Sequence, residues 1–214
     1  MNDVSISARS VILATGVVEN KPTVPHLADA VKRGVIRTCP ICDGYESMDK
    51  RIAVLGNSAH AAAEALFLRT YTSALSLLLV GQNILLSTDT QAALAEAGID
   101  IRHVGAGSVQ LQADGATAFC AEDGATYRFD ILYTAFGTSS QTKLARALGA
   151  DMDMAGRLFV SEHQETSVKG LYAAGDLVRG LNQISVACGE AAIAATTVHN
   201  ALPRVPAAEK SVAS

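Results

Sequence analysis

Short apolar runs punctuate this chain, each closed by glycine or by a polar turn, and alanine-rich stretches lie between them. Runs of that length predict buried strands, and the longer alanine-rich stretches predict helices. Residues 10–15 predict a first strand, closed by Gly16. Residues 17–38, with Pro22, Pro25 and mixed charges, read as a connector. Strands are expected at 51–56, 75–80 and 99–104, alternating with helices at 59–69 and 90–97, the latter stopped by Gly98. That alternation is the order of a parallel sheet with right-handed crossovers.

The pattern then shortens. Residues 109–111, 117–120 and 127–129 predict short strands separated by Asp114-Gly115 and Asp123-Gly124, two hairpin signals that together imply a β-meander. A buried strand over 130–135 leads to Phe136-Gly137-Thr138. A helix over 143–148 stops at Gly149, a strand spans 171–174, and a long alanine-rich helix spans 184–200. The polar tail from Pro203 is expected to fray. The fold class is therefore α/β, with a Rossmann-like parallel sheet and a β-meander.

Composition narrows the class. A chain of 214 residues allows one large or two small domains, and 49% hydrophobic residues can bury a sizeable core. Few aromatics and no Trp suit closely packed helices and strands. A net charge of −4 gives no basic footprint for nucleic acid. No apolar run is long enough to span a bilayer, and the first residues lack the basic and apolar regions of a signal peptide. A soluble, cytoplasmic protein is expected. Of the four cysteines, two form a pair while Cys120 and Cys188 are isolated, which fits a reducing compartment with one working pair.

That pair lies in Cys39-Pro40-Ile41-Cys42-Asp43-Gly44-Tyr45-Glu46. Two thiols one helical turn apart can close to a disulfide or open to a dithiol, and Asp43 could give or take the proton that exchange requires. The spacing alone leaves redox, zinc and accident open. Zinc needs four ligands, and His103 and Cys120 are remote and unpaired in sequence, so no metal site is expected. Gly56-Asn57-Ser58-Ala59-His60-Ala61 follows a strand and opens a helix, where a dinucleotide-binding turn belongs. Ser58 and Ala61 stand where the second and third glycines would be, and Val80-Gly81-Gln82-Asn83 offers neither an acid for a ribose nor arginines for a phosphate. A degraded nucleotide turn at Gly56, Ser58 and His60 and a Rossmann-like domain without nucleotide both stay open. Ala14-Thr15-Gly16 and Gly170-Leu171-Tyr172-Ala173-Ala174-Gly175-Asp176 each end a strand on glycine, and Asp176 could hydrogen-bond a ribityl chain. Gln183-Ile184 opens the last helix, whose amides could face a reduced isoalloxazine. His26, His163 and His199 read as surface, Cys188 as helix packing and Cys120 as core.

Taken in order, these motifs resemble the low-molecular-weight thioredoxin reductase family over about residues 9–202. The resemblance implies a discontinuous FAD-binding Rossmann-like domain interrupted by an NAD(P)-binding-like insert. Residues 1–35 would be an incomplete FAD segment, 36–137 the insert carrying the cysteines, 138–203 the second FAD segment and 204–214 a tail. It implies that Cys42 faces the flavin, that Cys39 attacks an external disulfide and that Asp43 is the proton donor. Thr15, Gly16, Gly175, Asp176, Gln183 and Ile184 would touch FAD. Interdomain hinges are expected near 33–38 and 136–141. The partner would be a thioredoxin-like protein or a small dithiol, and the resemblance implies a homodimer.

Two departures qualify this. The family opens with a strand, a glycine-rich turn and a helix that cradle the FAD pyrophosphate, a unit of roughly thirty residues that does not precede Ser10. A fragment, a late start codon or a split gene is the expectation. NAD(P)H stays in view, but the arginine-bearing segment for it is missing, which resembles the FAD-dependent dithiol oxidases, whose motif also ends Gly-Tyr-Glu and which pass electrons to oxygen. A non-catalytic remnant that binds a partner, and one half of a two-chain enzyme, are the other readings.

Overall fold

The computed structural model describes residues 6–81, 84–112, 116–120 and 125–203. Its elements open with β1 (Val11–Leu13), β2 (Val17–Glu19), α1 (Leu27–Lys32), β3 (Ile36–Arg37) and α2 (Pro40–Asp43), which runs into a 3₁₀ turn over Gly44–Ser47. Then come β4 (Ile52–Gly56), α3 (Ala59–Leu68), β5 (Leu75–Val80), α4 (Thr88–Glu96) and β6 (Asp100–Val104). The short strands β7 (Val109–Leu111), β8 (Thr117–Cys120) and β9 (Thr126–Phe129) precede β10 (Ile131–Ala135). β11 (Thr138–Ser140), α5 (Lys143–Ala147), β12 (Leu171–Ala173) and α6 (Ile184–Ala201) close the described chain. The hairpin dipeptides at 114–115 and 123–124 lie outside the described residues, as does the side chain of Cys120.

The chain forms two compact units. Residues 19–137 make one, inner in the order of the sequence only, and the flanking segments up to residue 18 and from residue 138 make the other, outer in the same sense. The first division falls at 18/19, not at the expected 35/36, and residues 33–38 are no connector. Val24, Ala30 and Ile36 are buried in the inner unit's core, and β3 pairs with β10. Residues 17–38 misled because α1 has six residues, fewer than two turns, so no helical period shows in the sequence.

The inner unit is a five-stranded parallel sheet in the order β3-β10-β4-β5-β6. All five residues of β4 are buried, as befits a central strand covered on both faces. Alternation sends Ile52 and Val54 to one side, against Ala61, Ala65 and Leu68 of α3 and Leu94 of α4. Ala53 and Leu55 point the other way, into a layer with Val109, Phe119 and Phe129 of the antiparallel meander β7-β8-β9. Each large aliphatic residue buried this way contributes about 1.5–3 kcal/mol relative to exposure. α4 starts at Thr88, two residues before expectation, because the Ser87 hydroxyl accepts the N–H of Thr90 at 3.2 Å and caps it.

In the outer unit β1 pairs in parallel with β12, and β2 lies beside β11 running the opposite way. Leu13, Ala145, Leu158, Leu171 and Leu177 form its main core. On the other face of β12, Tyr172 and Ala174 meet Ala194 of α6. α6 buries fully only Ala194 and leaves Ile184 (85%) and Ile193 (42%) exposed. Cys188 is exposed too, against its expected packing role, because a single line of α6 residues reaches the sheet. No helix among the described residues is long and apolar enough to cross a membrane.

Candidate active site: a disulfide and its carboxylate

Pro40 opens α2, where its fixed φ suits a first helical turn and its missing N–H costs nothing. That turn brings the Cα atoms of Cys39 and Cys42 to 5.3 Å, and the two sulfurs are joined as a disulfide. The N–H of Cys42 donates to Cys39 O at 3.0 Å. Cys42 is exposed and Cys39 half-buried. Gly44 follows because there is no room for more. A Cβ there would lie 2.9 Å from Cε2 of Tyr71, so the turn seats against that ring only without a side chain.

Asp43 ends α2 and is held at three atoms. The Tyr133 hydroxyl donates to its Oδ1 at 2.7 Å. Arg37 Nη1 donates to its carbonyl oxygen at 2.9 Å and stands 3.5 Å from Oδ2. Ser47 Oγ lies 2.8 Å from the Tyr133 oxygen and 3.4 Å from the Asp43 carbonyl. Tyr133 and Ser47 are fully buried, whereas the Asp43 side chain keeps 30% exposure. Burial first, and the neighbouring Asp43 carboxylate after it, push the Tyr133 phenol up to about 12. Sequence reasoning identified Asp43 but missed Tyr133, Ser47 and Arg37. The available signal was a hydroxyl inside the otherwise apolar run Ile131–Ala135, a group that burial obliges to find a partner.

Four of the flavin-contact residues expected in the outer unit lie at one sheet edge. Thr15-Gly16 and Gly175-Asp176 follow adjacent parallel strands at their carboxyl ends. Thr15 Oγ1 donates to Gln141 O at 2.6 Å, and Gly16 takes φ +63° with open space beside it. Gly175 takes φ +84°, its N–H donating to Glu190 Oε2 at 2.7 Å, and Asp176 is half-buried. Gln183 is the N-cap of α6 and Ile184 its first residue. The open side of Gly16 and the acid at the strand end fit the ribityl side of a flavin. The outer unit's described residues contain no glycine-rich turn for its pyrophosphate.

In the inner unit's nucleotide turn Ser58 stands at the second glycine position, where a side chain narrows a phosphate's approach. Gly56 sits where β4 lies between β10 and β5, at the carboxyl edge of the sheet. A Cβ there would come within 2.5 Å of both Ala135 O and Ala61 Cβ, so strand–helix packing already uses the room this glycine gives. Ser58 is the N-cap of α3, but its hydroxyl makes no capping hydrogen bond. His60 is exposed and pairs with Glu64 at 3.0 Å. A separate cavity of about 100 Å³, lined by Lys21, Leu55, Val80, Gly107 and Phe136, includes none of Gly56, Ser58 or His60. Residues 82–83 lie outside the described residues, and no cluster of metal-ligating side chains occurs among those described.

A Rossmann-type sheet bearing a Cys-x-x-Cys disulfide with a fixed carboxylate defines a class of thiol–disulfide oxidoreductase. The chain belongs to the pyridine nucleotide-disulphide oxidoreductase family, whose model matches residues 1–191. It is 28% identical to a thioredoxin reductase of Mycoplasma pneumoniae, over 92% of this chain and 64% of that protein. Among solved structures it resembles the atypical thioredoxin reductase of Desulfovibrio vulgaris Hildenborough, with 31% identity, a TM-score of 0.53, and coverage of 91% of this chain and 66% of that one. The thioredoxin reductase of Streptococcus pyogenes MGAS5005 shares the fold at a TM-score of 0.80 and 24% identity, over 93% and 67% of the two chains. The chain thus spans less than two thirds of the length of the first curated relatives it matches.

Proposed function

We propose that this chain carries the thiol–disulfide exchange centre of a flavin-dependent, thioredoxin reductase-like oxidoreductase. The observation that carries this reading is the Cys39–Cys42 disulfide with Asp43 fixed directly after it. In the reducing direction the Cys39 thiolate attacks one sulfur of a substrate disulfide. A mixed disulfide forms, and the substrate's other sulfur leaves as a thiolate and is protonated. Cys42 then attacks the Cys39 sulfur, closes the Cys39–Cys42 disulfide and expels the second substrate thiolate. Two electrons and the two protons of the cysteine thiols pass to the substrate, and Asp43 carries a proton between sulfurs. FAD, when bound beside Thr15, Gly16, Gly175 and Asp176, would supply the two-electron chemistry that regenerates the dithiol. A thioredoxin-like protein is the substrate class that the relatives' names support, and a homodimer is the assembly the resemblance implies.

A second reading has its own support. A side chain at Ser58, where a dinucleotide turn carries its second glycine, favours dithiol oxidation, with oxygen as the final acceptor, over reduction by a nicotinamide. The decisive experiment follows Cys39 and Cys42 by thiol labelling. The oxidised chain is mixed with reduced thioredoxin or a small dithiol, and the reduced chain with the corresponding disulfides. Two labelled cysteines gained or lost per chain support an exchange centre, and a pair inert to all of them overturns it. Peroxide formed from a dithiol in air by the flavin-loaded protein would select the oxidase.

A further inference from the structure

We propose that Tyr133 is a positioning residue for disulfide exchange, pinning Oδ1 of Asp43 with its hydroxyl, backed by Ser47, so that Oδ2 handles the thiol proton. The inference rests on the exchange reading above and adds residues from another strand and from the 3₁₀ turn. Three observations carry it.

The first is the direction of the hydrogen bonds. An ionised carboxylate only accepts, so the single phenolic hydrogen goes to Asp43 Oδ1, 2.7 Å away. Ser47 Oγ stands 2.8 Å from the phenol oxygen and 3.4 Å from the Asp43 carbonyl, so it backs both groups. The phenol is pushed up to about 12, so it stays a donor across the range in which thiols exchange. Second, the chain is a dead end. Ser47 is fully buried, so this row of hydroxyls cannot pass protons to water. It can only hold the carboxyl group still. A carboxyl torsion is otherwise broad, and orientation has to come from partners. Oδ2 faces the Arg37 guanidinium at 3.5 Å, on a side chain that retains 30% exposure, and is the oxygen left for proton transfer.

Third, packing does not ask for the hydroxyl. The Tyr133 ring lies in a cluster of Ile52, Val54, Ala61 and Leu68, where phenylalanine would fill nearly the same volume without a polar atom to satisfy. The serine is equally costly at full burial. Two buried hydroxyls that meet each other, and of which one reaches the acid beside the disulfide, are accounted for by that acid.

The test is the pH dependence of the rate at which dithiothreitol reduces the Cys39–Cys42 disulfide, followed by thiol labelling of the chain without added cofactor. Tyr133→Phe is expected to stay folded by circular dichroism and to keep its disulfide. It should slow reduction about tenfold at pH 7, the scale of one hydrogen bond to a charged group, and move the rate profile to higher pH. Ser47→Ala should shift the profile in the same direction by a smaller amount, and it serves as the second probe should Tyr133→Phe misfold. Tyr133→Phe should add nothing once Asp43→Asn is present. A Tyr133→Phe profile that superimposes on the wild type, while Asp43→Asn shifts it, overturns the positioning role and leaves the exchange reading intact. If Asp43→Asn also leaves the profile unmoved, the acid assignment falls with it. A wild-type disulfide that dithiothreitol does not reduce overturns the proposed function itself.

Discussion

Leu13 on β1 and Ala173 on β12 are register partners in a parallel pair, and the N–H of Ala174 donates to Leu13 O at 3.0 Å. That bond puts two glycine turns far apart in sequence, Thr15-Gly16 and Gly175-Asp176, at one end of one small sheet. Ligands of open α/β sheets bind at the carboxyl ends of strands, so the register of a single strand pair assembles the candidate flavin edge.

Gly175 tests that edge. Its φ of +84° is a conformation that side chains resist, although a Cβ would meet only Ala187 at 3.5 Å. Gly175→Ala is therefore expected to destabilise the chain through backbone strain, by about 1–2 kcal/mol in urea unfolding. Gly189→Ala is the matched control. Gly189 lies inside α6 with nothing within 4 Å of a Cβ, so this change should stabilise by about 0.5–1 kcal/mol. Equal effects at the two positions would refute the strain argument.

Gly56 should behave differently from both. Its obstruction is the Ala135 carbonyl and the Ala61 methyl at 2.5 Å, neither of which can swing aside. Gly56→Ala should cost about 1–3 kcal/mol by forcing α3 off the sheet. The loss should be the same in buffers with and without NADPH. Rescue of stability by NADPH in the wild type, lost in the variant, would instead show that the turn still holds a nucleotide.

The sheet's central strands β4, β5 and β10 were legible because they are mostly apolar runs: residues 75–80 were expected and Leu75–Val80 is observed. The meander was equally plain from its spacing. What escaped reading was short or contextual. β3 has two residues and owes its existence to β10 beside it, and no local pattern encodes such a strand. The acid at position 43 is visible because it adjoins the cysteines. Its partner Tyr133 stands 90 positions away, and only the pairing of β10 with β3 and β4 brings it near. Long-range register is what one sequence conceals.

The roles of the two sulfurs are separable by trapping. With Cys42→Ser, the Cys39 thiolate can open a substrate disulfide but nothing can resolve the product, so a stable mixed disulfide at Cys39 is expected. Cys39→Ser should form less of it if Cys42 serves as the resolving thiol. Mass spectrometry after mixing each reduced variant with 5,5′-dithiobis(2-nitrobenzoate)-oxidised thioredoxin reads the outcome. A stable adduct on Cys42 alone would reverse the assignment, in line with the greater exposure of that residue.

Glu64 gives the inner unit a pH-dependent stability independent of its redox chemistry. Burial, and next the charge of Glu19, push its carboxyl up to about 7 from 4.5, and Oε2 lacks a hydrogen-bond partner among the described residues. The folded state therefore holds the Glu64 proton more tightly than the unfolded chain does. The stabilisation that results is fully present below pH 4.5 and is lost as pH rises through 7. His60 Nε2 stands 3.0 Å from Oε1 on an imidazole that is 57% exposed, where solvent screens any attraction between them. After discounting for that partial solvation, about 1–2 kcal/mol should disappear between pH 4.5 and 8. Glu64→Gln keeps the shape, removes the titrating proton and should flatten this slope in urea unfolding, making the variant more stable than the wild type at pH 8. A wild-type stability that instead rises across the same interval, with Glu64→Gln leaving the slope unchanged, would show that the carboxyl stays solvated and that the interior of α3 tolerates its charge.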